Sequence, residues 1–137
     1  MNAAASGSGG IEVDATVLDQ DMAEWLRAVE QASGDEIIND SNQVHITHFL
    51  GGWVQQYLVP AADHVKVWLE GNAGGLRPLT TTFDYMQCGR VLYSSYHTEG
   101  REGIGNFPAY CSTTGLSPQE RVLEYLIFHI ADCIDIE

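Results

Sequence analysis

The chain has few positive charges. Its 137 residues include six Lys or Arg against 19 Asp or Glu, which gives a formal net charge of −13. Lys66 is the only lysine, and residues 1–40 hold nine acids and one base. Phosphate binding needs clustered Lys and Arg, so this composition argues against nucleic acid and anionic membranes as partners. We interpret the acidic surface as a solubility device that could also hold a divalent cation such as calcium weakly.

Long apolar runs and paired cysteines are also missing. No apolar run approaches the about 20 residues of a membrane helix, and residues 1–10 lack the charge and hydrophobicity of a signal peptide. We therefore expect a soluble chain, in a compartment that these features leave open. The cysteines, Cys88, Cys111 and Cys133, form no Cys-x-x-Cys pair, which argues against structural zinc. A Cys88–Cys133 bridge is one pairing that a layered domain would permit.

Length and a hydrophobic content of 45% predict one packed domain. We expect a flexible leader at residues 1–10 and a single domain at 11–137, either complete or a piece of a larger one. The predicted fold is α/β, with a three-layer-like partial mixed sheet, a C-terminal antiparallel hairpin and flanking helices.

Local patterns place the elements of this fold. Alternating apolar residues and β-branched runs predict strands, and these fall at 11–18, 44–49, 65–69, 79–85 and 89–96. The last two form the hairpin, with Asp84 opposite Arg90. Helices are predicted from Asp19 or Asp21 to Gly34, over 53–58, and from a capping box at Ser117 and Glu120 onward.

The segment after the last strand carries the candidate chemistry. The strand leads into His97, and Glu99 follows two residues later. In an extended chain these two side chains project to the same side, so Glu99 could orient the imidazole and leave the other ring nitrogen to act as a base. His97 and Glu99 are therefore the candidate catalytic dyad.

This His-x-Glu segment resembles class I glutamine-amidotransferase-like domains, and in particular their trehalose-utilisation-like (ThuA-like) branch and related bacterial domains. The resemblance covers about residues 65–133. It implies an α/β domain in which a strand ends in His-x-Glu, with Thr98 in the place where the family commonly has proline. The family's cysteine nucleophile, on a glycine-flanked strand-to-helix turn upstream of the histidine, has no counterpart here, so we expect no glutaminase activity.

Three functions remain open. The first is a non-catalytic binding or assembly domain that associates with copies of itself as a homo-oligomer. The second is a small hydrolase of esters, lactones or amides, in which His97 activates water, with or without a divalent cation. The third is binding of a carbohydrate or another small molecule, by analogy with the ThuA-like branch and from the aromatic content.

For the other candidate residues we favour structural roles over ligand or metal binding. His45 and His48 would point to opposite faces of a strand, which disfavours a shared metal site. Core packing is the expected role of the aromatic residues, although they could instead line a ligand groove: Trp25, Trp53, Trp68, Tyr57, Tyr93 and Tyr96. The acidic clusters lack the EF-hand spacing that a dedicated calcium site would show, namely Asp14, Asp19 and Asp21, and Asp35, Glu36 and Asp40.

Overall fold

The computed structural model describes residues 2–6, 10–47, 49, 51–57, 64–85, 89–98 and 115–131, with the backbone alone for 2–6 and 131. It contains seven strands and two helices in these parts of the chain. The strands are β1 (Asn2–Ser6), β2 (Val13–Val17), β3 (Gln43–Ile46), β4 (Val54–Tyr57), β5 (Val65–Asn72), β6 (Leu76–Tyr85) and β7 (Gly89–Ser94). The helices are α1 (Gln20–Ser33) and α2 (Pro118–Ala131).

Five of the strands form one sheet in the order β3-β2-β5-β6-β7, and β1 pairs with β4 in a second, two-stranded sheet. This confirms the α/β class with a C-terminal hairpin and flanking helices. Every described strand pair is antiparallel, whereas the sequence patterns predict a mixed sheet. The short links β5–β6 and β6–β7 explain the difference, because a parallel pair needs a crossover of a dozen or more residues.

Local signals fixed both helix starts. Asp19 caps α1 by accepting from the backbone N–H of Met22 at 2.9 Å, and Gly34 ends the helix in the left-handed conformation at φ 78°. At α2, Ser117 and Glu120 form the predicted capping box, with each side chain bonded to the other's backbone N–H. These caps satisfy N–H groups that the first turn of a helix leaves without partners.

Two N-terminal predictions differ from the structure. Residues 53–58, expected as a helix, contain strand β4, and part of the expected flexible leader is strand β1, which pairs with β4. Short apolar segments are ambiguous between helix and strand, and here pairing between distant segments decides the outcome. The two-stranded β1–β4 sheet therefore could not be predicted from local sequence patterns.

The two faces of the main sheet are covered differently. Helix α1 contacts α2 through Trp25 and Tyr125, whose ring centroids are 5.5 Å apart, and Tyr125 also meets Trp68 of β5. The Trp68 indole donates to Thr82 Oγ1 at 2.9 Å, so Thr82 points toward the helices. Its neighbour Thr81 points to the opposite face, where its hydroxyl donates to Gln56 of β4 at 3.2 Å.

Neither described helix has the length and apolarity that crossing a membrane requires. Each is a 14-residue segment, and each presents one apolar face to the shared core. The largest side chains buried in that core include Phe49, Met22, Leu26 and Leu126. The core therefore lies between the helices and the sheet, and the end of β7 lies at its margin.

Candidate functional site

A cavity of about 390 Å³ lies where β7 ends and β4 begins. Its lining combines aromatic rings, hydroxyl groups and one imidazole: Trp53, Val54, Tyr93, Ser94, Ser95, Tyr96, His97 and Thr98. This volume is within the range of small-molecule sites, about 300–1,000 Å³. The structure thus brings the predicted histidine to a cavity, which we call the β7-end cavity.

The backbone at His97 is held by a buried glutamine. Gln119, in the first turn of α2, is 2% exposed, and its Nε2 donates to the carbonyl oxygen of His97 at 2.6 Å. Its Oε1 accepts from the backbone N–H of Thr47 at 3.0 Å. One side chain therefore links α2, the end of β3 and the chain leaving β7, while the His97 side chain itself stays exposed.

An aromatic cluster supports the cavity wall. Phe49 is 1% exposed and meets the rings of Trp53 and Tyr96 edge to face, at centroid distances of 5.0 and 6.0 Å. The Tyr96 hydroxyl shares a 2.8 Å hydrogen bond with Thr80 Oγ1. Burial raises the pKa of Tyr96 to about 12, although its hydrogen bonds to Thr80 and Ser94 oppose the rise. The phenol is therefore neutral at physiological pH and serves as a wall rather than as a base.

The two serines beside His97 are bonded to backbone carbonyls. Ser94 Oγ donates to the carbonyl oxygen of Tyr96 at 2.9 Å, and Ser95 Oγ donates to that of Val54 at 3.3 Å. A serine nucleophile must pass its proton to a nearby base. Both serine protons are instead used in structural hydrogen bonds. The Ser94 bond stabilises the turn of the chain after β7, and the Ser95 bond links that segment to β4.

Several predicted residues lie outside the described part of the chain: Glu99, His48, Cys88, Cys111 and Cys133. The His97–Glu99 dyad and the Cys88–Cys133 bridge therefore stay predictions. Of the proposed dyad, the structure places His97 alone, at the rim of the β7-end cavity.

Two acids of the first acidic cluster, Asp14 and Asp19, are paired with bases of the chain. Asp14 Oδ1 lies 2.8 Å from Nδ1 of His45, and Glu12 lies 3.3 Å from Nε2 of the same ring. The hydrogen bond to Asp14 raises the pKa of His45, and the charges of both acids add to this, although partial burial opposes it. Asp19 pairs with Lys66. Burial alone would raise the pKa of Asp19, but the hydrogen bonds from Lys66 and Met22 and the lysine charge together lower it.

Among the described residues, no group of three or more His, Cys, Asp or Glu is arranged to hold a metal ion. Of the acids that the sequence offered as weak calcium ligands, Asp14 pairs with His45, and Asp19 accepts the backbone N–H of Met22. The core role predicted for the aromatic residues holds for Trp53, Trp68 and Tyr96, which are buried in the core, and Trp25 packs against it. Trp53 and Tyr96 also line the β7-end cavity, together with Tyr93.

A second cavity, of about 280 Å³, lies beside α1 and includes Glu30, Glu36, Asp14 and His45 in its lining. Glu30 Oε2 accepts the backbone N–H groups of Ile37 at 2.7 Å and Ile38 at 2.9 Å. These two bonds lower the pKa of Glu30 below its ordinary value of 4.5. The carboxylate therefore fastens the segment after α1.

Replacing Glu30 by alanine should lower the free energy of unfolding at pH 7 by about 1–2 kcal/mol, because two N–H groups lose a charged acceptor. A lowered folded pKa means that this stabilisation is present above the unfolded value and is lost as pH falls through the folded one. The advantage of wild type over Glu30→Ala, measured by urea unfolding, should shrink below about pH 4. Glu24→Ala, at an exposed site on the same helix, is the control, and a pH-independent difference would contradict the role of this carboxylate.

Sequence reasoning missed three residues that build the site. Gln119 gives no signal beyond a polar position in a capped first turn, and Phe49 reads only as the end of a strand. Thr80, which bonds the Tyr96 hydroxyl, lies in a run of three threonines. Side chains alternate between the faces of a strand, so Thr80 lies on the same face as Thr82.

The resemblance to amidotransferase-like domains was drawn from the His97-x-Glu99 segment, the strands before it and the helix that follows Ser117, and it stays a prediction. The antiparallel pairing of all described strands is a feature that the resemblance does not supply. Comparisons with protein-family models, with curated proteins and with solved structures gave no match to this chain.

Proposed function

We propose that this chain is a non-catalytic binding and assembly domain, which takes a small neutral ligand in the β7-end cavity and associates with copies of itself. The observation that carries the proposal is the cavity itself, about 390 Å³ in volume and lined by aromatic rings and hydroxyl groups. Binding sites for small molecules combine apolar walls with a few polar groups that fix orientation.

The lining favours an uncharged, hydroxylated ligand such as a sugar. Trp53 and Tyr93 offer aromatic surface, while Thr98 and His97 offer polar groups at the same opening. A formal charge of −13 repels anions, so a neutral molecule meets the smaller electrostatic barrier. The ThuA-like resemblance points in the same direction, as an analogy only.

The hydroxyl groups nearest His97 favour a role without catalysis. Ser94 and Ser95 donate their protons to backbone carbonyls, and Tyr96 keeps its proton with a pKa of about 12. With their protons held in these bonds, the three hydroxyl groups are not arranged as nucleophiles that His97 could activate. The described residues around His97 hold their protons in structural bonds, which supports a binding role.

Binding can be followed through the three tryptophan indole N–H signals in an NMR spectrum. Titration with a panel of mono- and disaccharides should shift the Trp53 signal and leave those of Trp25 and Trp68 in place, because only Trp53 lines the cavity. The Trp53→Phe variant assigns the signal. Tyr93→Ala should weaken the shift, whereas Tyr85→Ala, on the same hairpin but outside the cavity, should not. A panel that moves no indole signal would refute sugar binding here.

The alternative is a hydrolase, favoured by the exposed imidazole of His97 above a backbone that Gln119 anchors. In that case His97 would activate water and Glu99 would orient its ring. Ester and lactone turnover should then fall in His97→Ala and persist in His64→Ala, a second exposed histidine. Equal turnover in wild type and His97→Ala would refute the hypothesis that His97 is the base of a hydrolase.

A further inference from the structure

The two edges of the main sheet differ in how they are protected. β3, at one edge, is four residues long, and its His45 is flanked by Glu12 and Asp14. Short strands and charged side chains are devices by which proteins keep sheet edges from pairing with other chains. The β3 edge is therefore a poor surface for strand addition.

The other edge, β7, lacks these devices. It is six residues long, contains no proline, and pairs with β6 from Gly89 to Ser94 without a register shift. Its only charged residue is Arg90, which bonds Asp84 across the hairpin at 3.1 Å. Among the described strands, none pairs with the outer side of β7. A regular edge whose one charged residue is paired within its own hairpin is a template for another strand.

The backbone direction along β7 follows from one hydrogen bond. The N–H of Ser95 donates to the carbonyl of Leu79 on β6 at 2.9 Å. In an antiparallel ladder the N–H and C=O of alternate residues point to the same side, so Tyr93 and Val91 also face β6. The backbone groups of Leu92 and Ser94 then point away from β6, toward an added strand.

Charge favours a second copy as the added strand. Residues 64–98, which include β5, β6 and β7, carry the bases Lys66, Arg77 and Arg90 against the acids Glu70 and Asp84. Seventeen of the nineteen acids lie elsewhere in the chain. Two copies that meet through β7 therefore bring together surfaces with few acids, whereas an approach through the acid-rich residues 1–40 sets acid against acid.

Exposed apolar side chains lie on the β6–β7 hairpin beside the β7 edge. Val91 is 37% exposed and Tyr85 is 58% exposed, and both lie on the face of the hairpin opposite the helices. In an antiparallel pair centred on Leu92, Val91 of one copy lies beside Tyr93 of the partner subunit. Pairs of β-branched and aromatic residues are among the favourable cross-strand neighbours.

We propose that two copies of this chain pair β7 with β7, antiparallel, across a two-fold axis near Leu92, and so join their sheets into one. The inference rests on the assembly role proposed above and names the surface that performs it. The pairing is isologous, so it closes as a dimer and leaves the protected β3 edges at the two ends.

The test is sedimentation of the full chain and of three variants over a concentration series. Wild type should reach twice its 15.0 kDa chain mass. Val91→Lys places a charge beside the unprotected edge and should raise the dimer dissociation constant about tenfold or more. Val91→Thr keeps a β-branched, uncharged side chain and should still dimerise. Leu18→Lys adds the same charge at another exposed apolar site, 46% exposed, and should also leave the dimer intact.

Two further measurements need no variant. The Leu92 amide should exchange with deuterium more slowly as protein concentration rises. Dimerisation should tighten between about 0.05 M and about 0.5 M NaCl, because salt screens the repulsion between acidic copies. These readouts hold even if Val91→Lys fails to fold, which circular dichroism would reveal.

The failures are distinguishable. A wild-type chain that stays monomeric at about 1 mM overturns both the assembly role and the β7 interface. A dimer that Val91→Lys leaves intact, with Leu92 exchange independent of concentration, overturns the β7 interface alone. Equal weakening by Leu18→Lys and Val91→Lys would show a general charge effect and would also overturn this interface.

Discussion

Replacing Phe49 by alanine should lower the free energy of unfolding by about 3–5 kcal/mol, the range for removing a fully buried phenylalanine. Phe49 is 1% exposed and touches Trp53 and Tyr96 edge to face, so the change opens a void behind the cavity wall. Chemical denaturation measures the loss. The Trp53 indole signal should also shift, because the ring that it packs against is gone.

The control for this change is Phe128→Ala. Phe128 is 68% exposed on α2, and its truncation should alter stability by no more than about 0.5 kcal/mol. Phe49→Leu should fall between the two, since leucine fills much of the same space. If Phe49→Ala cost no more than Phe128→Ala, the aromatic cluster could not be what holds Trp53 and Tyr96 in place.

The parts of the fold that the sequence predicted are those set by neighbours in the chain. The caps at Gly34 and Ser117 and the Asp84–Arg90 pair each depend on residues within a few positions of one another. Such interactions leave a fixed spacing that can be recognised without a structure. The helices and the C-terminal hairpin were therefore predictable.

The parts that were missed depend on contacts between distant segments. β4 is a strand because it pairs with β1, about 50 residues earlier in the sequence, and its own residues carry no clear preference. The sheet is antiparallel throughout its described pairs because of which strands meet, a property that alternation alone does not encode. Pairing partners are a property of the whole chain.

The candidate site shows the same division. His97 was found because it follows a strand, which is a local feature. The groups that shape its surroundings come from elsewhere: Phe49 and Thr47 from the end of β3, Trp53 from the start of β4 and Gln119 from α2. The candidate side chain is visible in the sequence, whereas the groups that enclose it come from distant segments and are not.

Gln119→Ala should lower the free energy of unfolding by about 2–4 kcal/mol, although it removes only a polar side chain. Its amide is 2% exposed, donates to the His97 carbonyl and accepts from the Thr47 N–H, so truncation takes a partner from two backbone groups at once. Denaturation measures the loss, and faster hydrogen exchange at the Thr47 amide locates it.

Two comparisons separate hydrogen bonding from packing at this position. Gln119→Met keeps the volume but neither bond, so it should retain most of the loss. Gln20→Ala removes a glutamine from the equivalent first turn of α1, where its bond to Glu24 is exposed, and should cost little. If Gln119→Met were as stable as wild type, packing alone would explain the site. If the loss persists in Gln119→Met, the hydrogen bonds of Gln119 are what hold His97 at the cavity rim, and any ligand that contacts His97 should bind more weakly to both variants.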